Sequence, residues 1–310
     1  MDKNYDYETF VEELRQGIIQ ATGCIEEEIY FVEKGTSPSI DEDRLFWGLD
    51  QDGEVKDIFA IRTKEIYENH RGNIPMEKII RESVQTAEQV KKSGIFEQAA
   101  KIVDYEKVKD LLILRLRNKE QEGEKLDHAI YWTVGDIAIT LYLWLGVFDG
   151  NKVTMMVHKE WMNNWGKAEE EVVSKAMENM LQFMSPRIYN FWRLIYDAEY
   201  EGEDFMDTSQ DYQMDDSPTG NCLSTTIRTN GAAIVFVPAV AKRIYQLMGN
   251  GFYLVFTSIH EVMIHNDTTV EAGKLQGILE KTMEVAVPEE DRLSSHIYHY
   301  DEENGFAVAV

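Results

Sequence analysis

Between Thr257 and Asp267 the chain reads Thr-Ser-Ile-His-Glu-Val-Met-Ile-His-Asn-Asp, and here its residue types come nearest to a chemistry. Ser258, His260 and Glu261 supply a hydroxyl, an imidazole and a carboxylate, the groups of a hydrolase in which an imidazole takes the proton of an attacking oxygen. His260 and His265 offer two imidazoles to a metal. The spacing works against both readings. Two zinc-binding histidines on one helix stand four residues apart, whereas these stand five apart, which on a strand puts them on opposite faces. No Gly-x-Ser-x-Gly surrounds Ser258, and neighbouring side chains of a strand diverge. In a tight turn the Thr257 and Ser258 hydroxyls are expected to bond the backbone, with Glu261 accepting from nearby amides. His265 and Asp267 share one strand face and form a secondary metal or acid-base candidate.

The remaining chemistry-bearing residues read as structure. His296 and His299 are three apart and would meet on a helix, but Ile297 and Tyr298 make the segment a strand, where they diverge. Trp161 and Trp165, with Trp192 later, are placed as an aromatic wall, yet four-residue spacing makes a core stripe on a helix. Gly249-Asn250-Gly251 ends a helix and leads into a strand, so it does not cradle a phosphate at a helix start. No cofactor is called for.

These groups must be held by an α+β chain of three consecutive modules, in which antiparallel strands and hairpins pack against single helices. Residues 1–94 predict α-β-β-β-α. Phe10, Val11, Leu14, Ile18 and Ile19 mark a helix over 7–22 ended by Gly23. Strands follow over 29–32, 45–49 and 58–61, with turns at 36–39 and 50–53. Asn73 as cap and Pro75 in the first turn open a second helix, closed by Gly94. Residues 95–193 predict a helix over 95–109, strands over 111–117, 137–145 and 153–157, and a helix opening with Glu169, Glu170 and Glu171 at the positive end of its dipole. Residues 222–310 predict β-β-α-β-β-α: strands over 223–228 and 232–237, a helix over 238–248, strands over 252–257 and 261–265, and a helix over 269–285. One more strand is expected around 297–300, then an apolar tail over 306–310.

Residues 194–221 read as an acidic linker. From Leu194 to Ile227 there is no Lys or Arg, and nine carboxylates fall between Asp197 and Asp216. Like charges on a loop repel and extend it. Its other reading is a docking strip in which Asp204, Asp207, Asp211, Asp215 and Asp216 meet a partner, with Phe205, Tyr212 and Met214 as apolar anchors.

Composition narrows the function classes. The 310 residues carry 56 acidic against 31 basic groups, a formal charge of −25, so the field around the chain repels phosphate backbones and anionic lipid. Direct nucleic-acid binding and membrane association are excluded as expectations. Hydrophobic residues at 44% suffice for an ordered core. Two cysteines, Cys24 and Cys222, make neither a disulfide framework nor a zinc site. No apolar run reaches the ~18 residues of a membrane span and the first residues hold no apolar leader core, so a cytoplasmic, unanchored protein is expected.

Several blocks resemble a known family. They are Tyr67, Gly72 and Ile79; Gly135-Asp136-Ile137-Ala138-Ile139-Thr140; Val153 to Trp165 ending in Asn164-Trp165-Gly166; and Ala176 with Asn179. Further on come Asn230-Gly231-Ala232-Ala233, Phe252 to Val262, and Val287-Pro288-Glu289-Glu290 leading into Leu293-Ser294-Ser295-His296-Ile297-Tyr298. The chain is similar in these pieces to a domain-of-unknown-function family of clostridial and related bacteria (domain of unknown function 5688), itself distantly similar to the YtpQ-like proteins. Relatives tend to carry a Pro-His pair after the strand near 111–117, where this chain has Glu124-Lys125-Leu126-Asp127-His128. The resemblance implies no activity, substrate or cofactor. What the residues predict is an acidic cytosolic binding protein that engages a basic protein partner. The alternatives are an inhibitor that mimics nucleic acid before a defence or nucleic-acid-binding protein, and a hydrolase built on His260, Glu261 and Ser258.

Overall fold

Asp6 and Gly23 set the ends of the first helix. The Asp6 carboxylate accepts from the Thr9 amide at 2.9 Å, and Gly23 at φ +73° adopts the left-handed conformation that stops a helix, so Tyr7–Thr22 is helical as its spacing predicts. The computed structural model describes residues 6–36, 40, 42–49, 57–71, 73–149, 151–190, 193, 196–197 and 199–310. The turns expected around 37–39 and 50–53, and Trp192, lie outside the described residues. Two compact units result: residues 1–101 with 145–153, and residues 102–144 with 154–310.

In the first unit, β1 (Ile29–Val32), β2 (Arg44–Leu49) and β3 (Asp57–Arg62) form an antiparallel sheet in sequence order. Trp47 faces Ile29 on one side and Phe59 on the other, and all three are buried with Phe10, Leu14 and Ile18 of the first helix. The second long helix runs Met76–Lys92 with Pro75 at its cap. Asn73 is not the cap. It stands at φ +83° in the turn after a short helix, Thr63–Arg71, whose polar sequence hides any apolar stripe. Gly17 faces Met76–Lys92 because an added Cβ would meet Ile80 Cδ1 at 2.1 Å.

Two further antiparallel sheets follow. β4 (Leu112–Asn118), β5 (Tyr131–Val134), β6 (Ile137–Phe148) and β7 (Asn151–Met156) form one, with β6 between β4 and β5 and also paired to β7. β5 was absent from the sequence reading. The helix expected over 95–109 is broken into Ile95–Ala100, a 3-10 turn at Lys101–Val103, and Tyr105–Val108 after an Asp104 cap. The helix Glu169–Phe183 begins with its three glutamates as predicted.

The other sheet contains β8 (Pro186–Tyr189), β9 (Asn221–Thr225), β10 (Phe252–Val255), β11 (Val262–Asn266), β12 (Ile297–Asp301) and β13 (Gly305–Val308), in the order β13-β12-β10-β11-β9-β8. The helix Pro238–Met248 has the predicted bounds, proline first and Gly249 at φ +77° last. Leu275 and Leu279 of the helix Ala272–Ala286 pack on Val255 and Ile297. The strand expected over 232–237 is instead a 3-10 helix, Gly231–Phe236, with all six residues buried. A short run that is apolar on every side has no readable period, so sequence cannot separate the two.

The acidic stretch is not an extended linker. Glu203 exchanges backbone hydrogen bonds with Ile188 of β8 at 2.7 and 3.1 Å, which covers that edge of the sheet. Phe205 is 0% exposed, Tyr200 4% and Met214 9%. Phe205 and Met214 therefore anchor the segment to its own chain and are not available to a partner.

Candidate functional site

The turn after β10 is built from its own side chains. Ser258 Oγ donates to Glu261 Oε1 at 2.7 Å, Thr257 Oγ1 donates to the same oxygen at 3.1 Å, and Ser258 Oγ accepts from the His260 amide at 3.0 Å. His260 Nδ1 accepts from the Asn230 amide at 3.0 Å, which places the ring proton on Nε2, 3.3 Å from Asp291 Oδ1. The basic nitrogen of this imidazole is thus occupied by a backbone amide, and the Ser258 hydroxyl is directed at Glu261. Ser258, His260 and Glu261 are brought together as a turn, with the imidazole holding Asn230 in its left-handed conformation, φ +55°.

His265 and Asp267 do not pair. Asp267 lies past the end of β11, where strand alternation no longer applies, and its Oδ2 is 2.9 Å from His299 Nε2 while its Oδ1 accepts from Asn250 Nδ2 at 2.9 Å. His299 stands across Tyr253 from His265 in the register of β12, β10 and β11, and nothing in the spacing of the chain marked that contact. Among the described residues no group of three or more His, Cys, Asp or Glu side chains is placed to hold a metal ion.

His265 is buried and its Nδ1 makes no hydrogen bond among the described residues. Burial drives its pKa down from 6.5 to about 4, because a desolvated imidazolium is disfavoured. The unfolded chain therefore takes up the proton first as pH falls. Stability from this group is complete above about pH 6.5 and declines toward pH 4, a loss of about 2 kcal/mol at pH 5. Melting at about pH 7.5 and about pH 5 should show this as a drop in Tm that is smaller in His265→Gln. An unchanged pH slope in the variant contradicts the assignment.

A cleft of about 420 Å³ opens beside the acidic segment. Its floor is one cross-strand row, Tyr189 of β8, Cys222 of β9 and Met263 of β11. The segment folds over this row and contributes Tyr200, Glu203, Tyr212 and Asp215. Asn221 fixes the far end, donating to the Asp215 carbonyl and accepting from the Asp215 amide, each at 2.9 Å. Tyr200 OH donates to Glu203 Oε1 at 3.1 Å. Burial, and then the Glu203 charge, push the Tyr212 hydroxyl up to about 12. Burial also lifts the Cys222 thiol to about 12, so it is not a thiolate nucleophile.

The predicted docking carboxylates divide by location. Asp204 pairs with Arg187 at 3.0 Å, Asp207 accepts from the Ser209 amide at 2.9 Å, and Asp216 accepts from Asn266 at 3.0 Å. Asp215 and Tyr212 line the cleft. Asp211 is exposed, as are Glu199 and Glu201.

A fourth cluster gathers two blocks that the sequence reading left apart. Asp136, after β5, accepts from the Tyr298 hydroxyl and from Ser294 Oγ at 2.7 Å, both on Oδ1. Asn118 Nδ2 reaches Asp136 Oδ2 at 3.2 Å and the Leu293 carbonyl at 2.8 Å. Gly135 at φ +57° leaves room for this, since a Cβ there would meet Val308 at 2.5 Å and Tyr298 at 3.1 Å. The node ties the β4–β6 sheet to the strand β12.

The model of a family of unknown function (DUF5688) matches residues 7–302. No curated protein matches, and no solved structure matches.

Proposed function

The chain belongs to that family of unknown function, whose match spans nearly all of its length, and from this premise we propose that it acts by binding a basic protein partner through its acidic segment. The observation that carries the reading is the anchoring of that segment. Tyr200, Phe205 and Met214 are buried, while Asp197, Glu199, Glu201, Asp204, Asp211, Asp215 and Asp216 face solvent. Carboxylates on a folded band lose little conformational freedom on binding, which raises affinity over that of a loose acidic tail. The formal charge of −25 adds long-range attraction for a cationic surface and speeds encounter. No helix of the described residues is long and apolar enough to cross a membrane, and both cysteines are free thiols. We place the protein in a bacterial cytoplasm, where such thiols stay reduced.

The test is capture of a partner from lysate by the full chain and by Glu199→Gln/Glu201→Gln/Asp211→Asn. These side chains are exposed, so the variant keeps its fold. Three surface charges lost together should weaken binding about tenfold, and raising salt to about 0.5 M should release the partner from wild type. Equal retention by the variant, or retention that salt does not affect, contradicts the reading.

A further inference from the structure

The cleft over Tyr189, Cys222 and Met263 already has a cation at its mouth. Arg193 lays its guanidinium carbon 3.9 Å from the centre of the Tyr200 ring. Its Nη1 donates to Glu203 Oε1 at 2.7 Å, and its Nη2 lies 3.8 Å from Asp197 Oδ2. A ring face below and a carboxylate at the edge are the two groups that recognise a planar guanidinium together. Yet the Arg193 side chain is 54% exposed, so water competes for it and it is free to leave. A second guanidinium, Arg228, lies 5.0 Å from the centre of the Tyr189 ring and donates to the Tyr200 carbonyl.

Beneath Arg193 the cleft is rich in acceptors. Glu203 and Asp215 line it as carboxylates, and the Tyr189 and Tyr200 rings meet edge to face at 5.9 Å. Desolvation and the neighbouring Glu203 hold the Tyr212 phenol protonated, so the wall adds a neutral ring and no further charge. Once Arg193 swings away, an anion entering beneath it would meet the Glu203 and Asp215 carboxylates, whereas a cation would meet aromatic faces and oxygens. The volume of about 420 Å³ exceeds what one amino-acid side chain needs.

We propose that this cleft is a receptor for a single arginine side chain presented by a polypeptide, and that Arg193 is a self-occupant which the incoming guanidinium displaces. The inference rests on the reading of a basic protein partner and deepens it: the acidic band attracts the partner, and the cleft takes one of its arginines.

The experiment titrates acetyl-arginine amide into the full chain, with acetyl-citrulline amide as the neutral isostere, reading tyrosine ring resonances by NMR. Wild type should bind the arginine probe with a dissociation constant of about 1 mM and show no shift with citrulline. Arg193→Ala removes the competitor and should tighten binding by about fivefold, whereas Lys242→Ala, an equal charge change at an exposed position outside the lining, should alter it less than about twofold. Glu203→Gln keeps the shape of the wall and should weaken binding by about tenfold. Tyr200→Ala should abolish it, and the Glu203 variant secures the test if that change perturbs folding. Binding of citrulline equal to arginine, or weaker binding in Arg193→Ala, overturns the proposal. Partner capture without arginine binding would reject the cleft and leave the acidic band standing, and arginine binding without partner capture would do the reverse.

Discussion

Phe205→Ala should lower the stability of the second unit by about 4 kcal/mol, the cost of emptying a fully buried aromatic site, and lower Tm by about 10 °C for a unit of this size. Phe205 sits among nine carboxylates in a stretch free of Lys and Arg, so a linker reading expects almost no change, within about 0.5 kcal/mol. The structure places the ring at 0% exposure, 6.3 Å from Tyr212, with the Phe205 carbonyl accepting from Arg243 Nε at 2.9 Å. Thermal melting decides between these outcomes. The same variant should weaken partner capture although every carboxylate remains, because the band loses its support. A Tm equal to wild type would contradict the packing described for the segment.

Asp136→Ala should cost about 3 kcal/mol. Its carboxylate accepts from two hydroxyls, Ser294 and Tyr298, which are 2% and 1% exposed, and it accepts from Asn118. Removing it leaves the two hydroxyls no acceptor among these partners but each other, at 2.9 Å, with Ser294 Oγ still accepting from the His296 amide at 3.1 Å, and strips one acceptor from the Asn118 amide. Tyr298→Phe in the same background deletes one of the stranded donors. The double variant should therefore lose less than the sum of the single losses, with a coupling of about 1 to 2 kcal/mol. Strict additivity in urea unfolding would show that Asp136 and Tyr298 do not act as one node.

How much of this was legible in the sequence depended on whether the signal was local. The helices at Tyr7–Thr22 and Pro238–Met248 declare themselves because a cap, an apolar stripe and a terminal glycine lie within a few turns of one another. The α+β class followed from such segments. Three elements did not follow. Gly231–Phe236 has no polar face to set a period, β5 is short and half-buried, and β8 is a four-residue strand just before a charged stretch. The acidic stretch does carry a signal in Tyr200, Phe205 and Met214, but in sequence its run of like charges, which repel on an open loop, masks it. In sum the energies favour burial, since each large side chain contributes about 2 kcal/mol when taken from water, more than exposed carboxylates lose by standing near each other at moderate salt.

The candidate site was less legible than the fold. Tyr189, Cys222 and Met263 meet only through strand register, and a one-residue slip would turn all three to the other face. Asp136 and Tyr298 are 162 positions apart. The family resemblance held both blocks, Gly135-Asp136 and Ser294 to Tyr298, without indicating that they touch. Conversely, Ser258, His260 and Glu261 are adjacent in sequence and in space, yet the Asn230 amide takes the imidazole nitrogen that a hydrolase would use.

Hydrogen exchange at the Glu203 and Asp215 amides, in the full chain with and without Phe205→Ala, bears most directly on the claim that the acidic segment is a folded surface. In wild type both amides should exchange slowly, since one donates to the Ile188 carbonyl at 2.7 Å and the other to Asn221 Oδ1 at 2.9 Å, and the variant should release both. Exchange in wild type at the rate of an unstructured peptide would contradict the account.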